Sequence, residues 1–345
     1  MGNSVTQRDH ESSGGGLPQG GVYCAGNLVV DVLVRPLESM PEWGSTTWVE
    51  SIEQHLGGNG AATAYTLGKL GARVRLAGAV GDDEFGQYVL QRLRSAGVDL
   101  SEVRVEGGVQ TAGTVGVINR QGERLFLHLR GASCTVIPER LSFADARASG
   151  CAYFHLASLF HMPKMRQAGA ELLAQARQAG LVTSFDTVWD ASGRWMDDFA
   201  GLCPWIDLLF VNQQEARMLA GSDEPAEVAR AFLARGVRRV VLKMAESGCA
   251  VLAEGEQFTM PAFEVAMVDS TGAGDCFCGG FLAALGRGFS LRLAADFANA
   301  VGALAVGQMG GTEGVKTFAE TLEWMAGAKR RDAVAVGGGA DGGRG

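Results

Sequence analysis

Residues 268–285 read VDSTGAGDCFCGGFLAAL. The apolar, β-prone segment 263–268 is expected to enter the Gly-Ala-Gly-Asp turn as a strand, and an apolar helix to leave it. Glycines allow close backbone approach, so successive N–H groups can converge on one anion. A helix N-terminus adds its own unpaired N–H groups and the positive end of its dipole. Asp275, beside such a hole, suits a base that takes a proton from a nucleophile while negative charge develops nearby. The plainer alternative is that Asp275 only caps the helix. Two familiar glycine loops are excluded. The dinucleotide pattern G-x-G-x-x-G would need glycine at Phe277. The Walker loop fails at Gly68-Lys69, where Thr63 replaces the first glycine and Leu70 follows the lysine.

Outward from this stretch, short apolar runs alternate with helical segments. The runs are 22–25, 74–77, 152–156, 181–185, 208–211 and 240–242, several bounded by glycine, aspartate or proline. The clearest helix is 163–179, with Pro163 in its first turn, Leu172, Leu173 and Ala176 on one side, and Gly180 just beyond. This alternation predicts βαβ units, and so an α/β sheet covered by helices on both faces. No linker divides the body. Two stretches break the pattern: 28–50, with Val29, Val30, Val32, Val34 and then Thr46, Thr47, Trp48 and Val49, and a hairpin of 114–118 and 125–129 around NRQG. They are expected to form a small β lid over a ligand crevice. A second glycine cluster spans 57–86: Gly57, Gly58 and Gly60 precede a helix with Ala61, Ala62 and Ala64, Gly71 ends it, and Gly81-Asp82-Asp83 opens another turn.

The composition of the 345 residues is globular, 47% hydrophobic and 20% charged, with a net charge of −8 that argues against a nucleic-acid partner. Seven scattered cysteines, without a CxxC, read as buried apolar residues in a reducing, cytoplasmic setting. Residues 1–20 lack a secretory core and read as a disordered leader, although Gly2 and Thr6 fit the loose myristoylation pattern. Residues 331–345 read as a flexible tail. No uncharged apolar run reaches the ~18–20 residues that span a bilayer. His155 and His161 have no third ligand nearby in sequence. His128 and Arg130 either face the crevice or lie in solvent. The run Lys329-Arg330-Arg331 reads as a solvated helix end.

The two glycine clusters, in this order and at this separation, resemble the paired signatures of the PfkB (ribokinase-like) family of carbohydrate and nucleoside kinases. The resemblance runs from about Val22 to Glu320. It implies a three-layer α/β/α sandwich with a mostly parallel central sheet and a β lid, in one kinase domain over 21–330 with lid strands within about 28–50 and 111–130. It also implies transfer of the ATP γ-phosphoryl group to a hydroxyl of a small sugar or sugar acid of the ribose, fructose or 2-keto-3-deoxygluconate type. By the resemblance, Asp275 is the catalytic base, and Gly272, Ala273 and Gly274 form the anion hole. Asp31 binds substrate hydroxyls, with Gly58 and Asn59 beside it. Asn212 and Glu215, of NQQE, organise magnesium and phosphate. Lys243, Gly248 and Asn299 lie on the nucleotide side. The family can use a monovalent cation such as potassium, for which Asp269 is in position, and can pair two copies through the lid. The chain departs from the family at Ala62, where many sugar kinases carry asparagine, and at Ala245, which replaces the first glycine of the nucleotide turn. FDTVWDASGRW also departs, leaving Asp186 and Arg194 in related roles. The rivals are a nucleoside kinase of the adenosine type and a ligand-binding regulator that has kept the fold without turnover.

Overall fold

The computed structural model describes residues 17–136 and 138–332. Gly2, Thr6, most of the leader and nearly all of the tail lie outside the described residues. The chain runs β1 (Gly21–Ala25), β2 (Val29–Arg35), β3 (Ser51–Gly57), α1 (Asn59–Lys69), β4 (Val74–Gly81), α2 (Glu84–Ser95), β5 (Asp99–Glu106), β6 (Ala112–Ile118) and β7 (Arg124–Leu129). It continues through α3 (Phe143–Ala148), β8 (Cys151–Ala157), α4 (Pro163–Gln178), β9 (Val182–Asp186), α5 (Met196–Phe199), β10 (Leu208–Asn212), α6 (Gln213–Ala220) and α7 (Pro225–Leu233). The last elements are β11 (Arg239–Lys243), β12 (Cys249–Ala253), β13 (Glu256–Met260), α8 (Ala273–Gly286), α9 (Leu291–Val306) and α10 (Phe318–Gly327).

Nine of these strands form the central sheet, in the order β13-β12-β11-β10-β9-β8-β1-β4-β5. Pairing is parallel from β11 to β5, and the two added edge strands, β12 and β13, are antiparallel. Both faces are covered, so central strands read as continuous apolar runs. Every residue of β8 is buried. One face packs on α1, α2, α8 and α9 through residues such as Leu67, Phe281 and Phe297; the other packs on α3 to α7 through Phe154, Phe185, Phe199 and Phe232. The expected three-layer sandwich is the observed one.

Strand order determines where a ligand can bind. From β1 the chain builds towards β4 and β5, then returns to place β8 on the other side of β1. The carboxyl ends of β1 and β8 therefore flank a switch point, where crevices of open α/β sheets form. The approach of α1 to that point requires glycine: a Cβ on Gly26 would sit 2.6 Å from the Gly60 Cα.

The lid is a four-stranded sheet, β3-β2-β6-β7. The hairpin closes as expected, with Asn119 N–H donating to Glu123 O and Gly122 at φ 82°. The first half needs correction. Thr46, Thr47, Trp48 and Val49 are not strand; β3 begins at Ser51, beyond the expected boundary, because β2 pairs with Ser51–Gly57 on one side and β6 on the other. Trp43 and Trp48 instead protrude, fully exposed, from the connecting loop.

One further expectation fails. Segment 263–268 is not a strand of the sheet; Phe263 makes a lone antiparallel bridge with Arg330. The charged run lies just beyond α10 and is exposed, as expected, but its arginines are also engaged. Arg330 stacks 4.3 Å above the Phe263 ring and pairs with both oxygens of Asp296, while Arg331 pairs with Glu246. A planar guanidinium can stack and pair at once, and this fastens the strap beyond α10 to the chain entering the glycine turn.

Candidate active site

Helix α8 begins at Gly272, which sits at φ 68° and offers no side-chain cap. Gly274 and Asp275 occupy its first turn, where backbone N–H groups lack intrahelical acceptors. Asp275 lies inside the helix, at its third position, so the capping alternative does not hold. From Cys276 to Leu285 the helix is buried on all sides, which fixes its open end against the switch point. Cys276 and Cys278 do point to different faces, towards Thr66 and towards Lys243.

Asp275 is held from the opposite wall. Asn59, first residue of α1, donates from Nδ2 to Asp275 Oδ1 at 2.7 Å, and Ser158 Oγ donates to Asn59 Oδ1 at 2.5 Å. Gly58 stands before Asn59 at φ 86°, and a Cβ there would meet Asn27 O at 2.7 Å. Asn27 is itself buried, and its Oδ1 has no protein partner. Two helix N-termini, α1 and α8, thus meet over the ends of β1 and β8.

Behind the hole lies a cluster of charge. Lys243 Nζ donates to Asp186 Oδ1 at 2.7 Å, and a Cβ on Gly274 would come within 3.2 Å of the same ammonium. Asp186 Oδ2 is buried without a protein partner. Burial, reinforced by the Asp186 charge, pushes the Asp275 carboxyl up to about 7, against the opposing pull of Lys243 and Asn59. Burial likewise raises Asp186, to about 6, despite Lys243. For Lys243, burial disfavours the charge, but Asp186, Cys278 and Glu215 outweigh it and hold the ammonium protonated.

Asn212 and Glu215 form the capping box of α6: Asn212 Oδ1 accepts from Glu215 N at 2.8 Å, and Glu215 Oε2 accepts from Asn212 N at 3.3 Å. Thr187 also donates to Glu215 Oε2. Among the described residues no group of three acidic, histidine or cysteine side chains is arranged to hold a metal. The donors fit magnesium in another way. Three carboxylates, Asp186, Glu215 and Asp275, face one lysine, and the excess negative charge suits a dication held largely by phosphate and water.

The lid supplies a polar row. His55, Asp31, Thr114 and His128 are directly opposed on its four strands and so share one face. Thr114 Oγ1 and His128 Nδ1 are 3.1 Å apart, and His128 lies beside His161, ring centroids 5.8 Å apart. Burial raises the Asp31 carboxyl, partly offset by Thr114 and His55, and the Asp269 charge adds to the rise. Asp31 therefore lies towards the glycine turn; His128, beside His161, and Arg130 are both exposed.

The three expected nucleotide-side residues make the following contacts within the chain. Lys243 is in the carboxylate cluster. Gly248 is a close-packing glycine at φ 91°, whose Cβ would lie 2.0 Å from Met260 O. Asn299 donates to Met260 O at 3.0 Å and Pro261 O at 3.2 Å, so both fix the chain leaving β13. Ala245 takes φ 49°, a left-handed conformation that glycine adopts more readily than alanine. Arg194, itself exposed, pairs with Asp198, whereas Asp186 pairs with Lys243. His155 is buried and kept neutral by burial, with Nδ1 2.8 Å from Ser184 Oγ. All cysteines are free, and Cys134 alone is not fully buried. No described helix is long and apolar enough to cross a membrane. A cavity of about 600 Å³ lined by Lys69, Ala303, Leu304 and Trp324 includes none of the expected site residues. Ser158, Asn27 and Arg124 were not expected; Ser158 follows the β8 run, at φ 56°.

An open helix end beside a raised carboxyl, with a lysine behind it and a second carboxylate on the lid, fits a phosphotransferase site for an alcohol acceptor. Residues 25–317 match the pfkB family of carbohydrate kinases, and the chain belongs to that family. It is 32% identical over 289 residues to an ATP-dependent ribose-1-phosphate kinase of Halopiger xanaduensis, covering 84% of this chain and 93% of that one. It is 27% identical over 283 residues to the probable fructokinase-5 of Arabidopsis thaliana, covering 78% and 87%. The fold superposes on a putative ribokinase II of E. coli in complex with ATP and Mg²⁺, with TM-score 0.79, 24% identity, and 89% and 99% of the two chains covered.

The Lys243 ammonium lowers the Asp275 pKa. Lys243→Gln is therefore expected to move the acid limb of the pH dependence of kcat/KM to higher pH. An unmoved limb would separate Lys243 from the base.

Proposed function

We propose that the chain transfers the γ-phosphoryl group of ATP to a hydroxyl of a small sugar or sugar acid, within one kinase domain over 21–330. The observation that carries this is Asp275, held by Asn59 at the uncapped start of α8. The acceptor oxygen bonds to the γ-phosphorus, the bond from phosphorus to the β–γ bridging oxygen breaks, and the hydroxyl proton passes to Asp275. The backbone N–H groups of Gly272, Ala273 and Gly274 stabilise the charge on the transferred group. Lys243 adds its charge from behind. Magnesium, organised through water by Asn212 and Glu215, neutralises phosphate charge when bound. Gly248 and Asn299 shape the nucleotide side by fixing residues 260–262.

Asp31 accepts the sugar's hydroxyls, with Gly58 and Asn59 forming the opposite wall. Seven unpaired thiols fit a cytoplasmic setting. A second copy fits the outer face of the lid, where Ile52, Val115, Leu125, Leu127 and Leu129 are exposed together. Leu127→Asp is expected to turn a dimer into a monomer in sedimentation velocity; a monomeric parent chain would refute the pairing.

ADP release with ATP, magnesium and a panel of pentoses, hexoses, sugar acids, sugar phosphates and adenosine tests the function. Turnover with adenosine alone would favour the nucleoside kinase, and nucleotide binding without turnover the regulator. With the accepted sugar, Asp31→Ala leaves hydroxyls unpaired, a loss of about 1.5–3 kcal/mol per charge-assisted bond. The KM for sugar is expected to rise while the KM for ATP stays nearly constant. An equal rise in both would place Asp31 outside the sugar crevice.

A further inference from the structure

Asp269 ends the segment that enters the glycine turn, and only 1% of its surface is exposed. Both its oxygens are occupied. Oδ1 accepts from Thr271 N at 2.9 Å and lies 3.0 Å from Arg124 Nη2, while Oδ2 accepts from Gly310 N at 3.0 Å. The same guanidinium donates through Nη1 to Thr271 Oγ1 at 2.7 Å. Val306 O, at the end of α9, accepts from Val268 N at 2.7 Å and Asp269 N at 3.1 Å. This carbonyl and both carboxylate oxygens are thus engaged, and a positive charge already stands at the carboxylate. The residues present do not fit the ion.

We propose that Arg124 is the tethered cation of the anion-hole loop: it replaces a monovalent ion at Asp269 and latches the lid to the site. A buried carboxylate needs a positive partner, or its desolvation is uncompensated. A free alkali ion would have to be captured from solution, whereas a guanidinium carried by the chain is always present. Its fork bridges two groups of one loop, the Asp269 carboxylate and the Thr271 hydroxyl, which a lysine ammonium cannot match in geometry. Thr271 immediately precedes Gly272, so the contact acts on the residue that opens α8.

The origin of Arg124 gives the contact a second effect. It is the first residue of β7, the edge strand of the lid, and the one residue of that strand that is not exposed. Through β6, the strand is continuous with β2 and Asp31. The sugar-binding row and the anion hole are therefore tied by one side chain. Arg124 touches no reacting atom, and acts as a positioning residue through the loop.

The inference rests on the phosphotransferase reading, which would itself fail if the parent chain did not bind Mg·ADP. Binding of Mg·ADP is measured by titration calorimetry in K⁺, Na⁺ and tetramethylammonium buffers of equal ionic strength, for the full chain, Arg124→Ala and Arg124→Lys. The parent chain is expected to bind equally in all three. Arg124→Ala is expected to bind about tenfold or more weakly in tetramethylammonium, the scale of one lost charge-assisted bond, and to recover with K⁺ or added guanidinium. Arg124→Lys is expected to fall between them. Recovery by a small cation distinguishes this role from general support of the fold. A parent chain that requires K⁺ would overturn the proposal, as would an alanine variant with unchanged affinity or one that neither cation restores. If Arg124→Ala does not fold, the cation series of the parent chain and of Arg124→Lys decides.

Discussion

The uncapped start of α8 is the constraint on which the rest of the site depends. Its first-turn N–H groups have no partner within the helix, and Gly272 has no side chain to offer one. Such an end, held at a crevice, is stable because the body of α8 is buried on every side and because an anion can complete it. The central sheet meets the first condition through Phe210, which packs on Phe277 and Phe281. The second condition is the function. Strand order then brings α1 to the same place, so that Asn59 can hold Asp275 from across the crevice.

The electrostatics follow from how little charge is available to balance the carboxylates. Asp186, Glu215 and Asp275 lie around Lys243, and burial with mutual repulsion lifts Asp275 to about 7. A carboxyl in that range can accept a proton near neutral pH and release it afterwards, as a general base must. Arriving phosphate and magnesium bring opposite charges, so the cluster is completed by the reactants. At Asp269 the balance differs: Arg124 supplies the opposing charge permanently.

Much of this was legible in the sequence because it depends on local chemistry. The apolar runs matched six of the seven parallel strands within a residue or two at most ends, since a strand covered on both faces has no polar position to blur its limits, whereas the half-exposed edge strand β5 showed no such run. Gly58 and Gly272 take positive φ and Gly60 stands where backbones touch; Asn59 follows Gly58, and Asp275 follows Gly274, which faces Lys243. What could not be read came from contacts between distant segments. Segment 263–268 looked like a strand, but its neighbour is the strap carrying Arg330, and no periodicity encodes that. Ser158 and Arg124 reach the site from β8 and from the lid edge, and neither belongs to a glycine motif.

The central claim is that Asp275 removes a proton at an anion hole formed by backbone. Its most direct test is Asp275→Asn, compared with the parent chain in single-turnover phosphoryl transfer and in calorimetric binding of Mg·ADP. The account predicts transfer slower by roughly 10²–10⁴-fold, the range of general-base catalysis, with nucleotide affinity nearly unchanged. Transfer at the parent rate, or a parallel collapse of nucleotide binding, would contradict it.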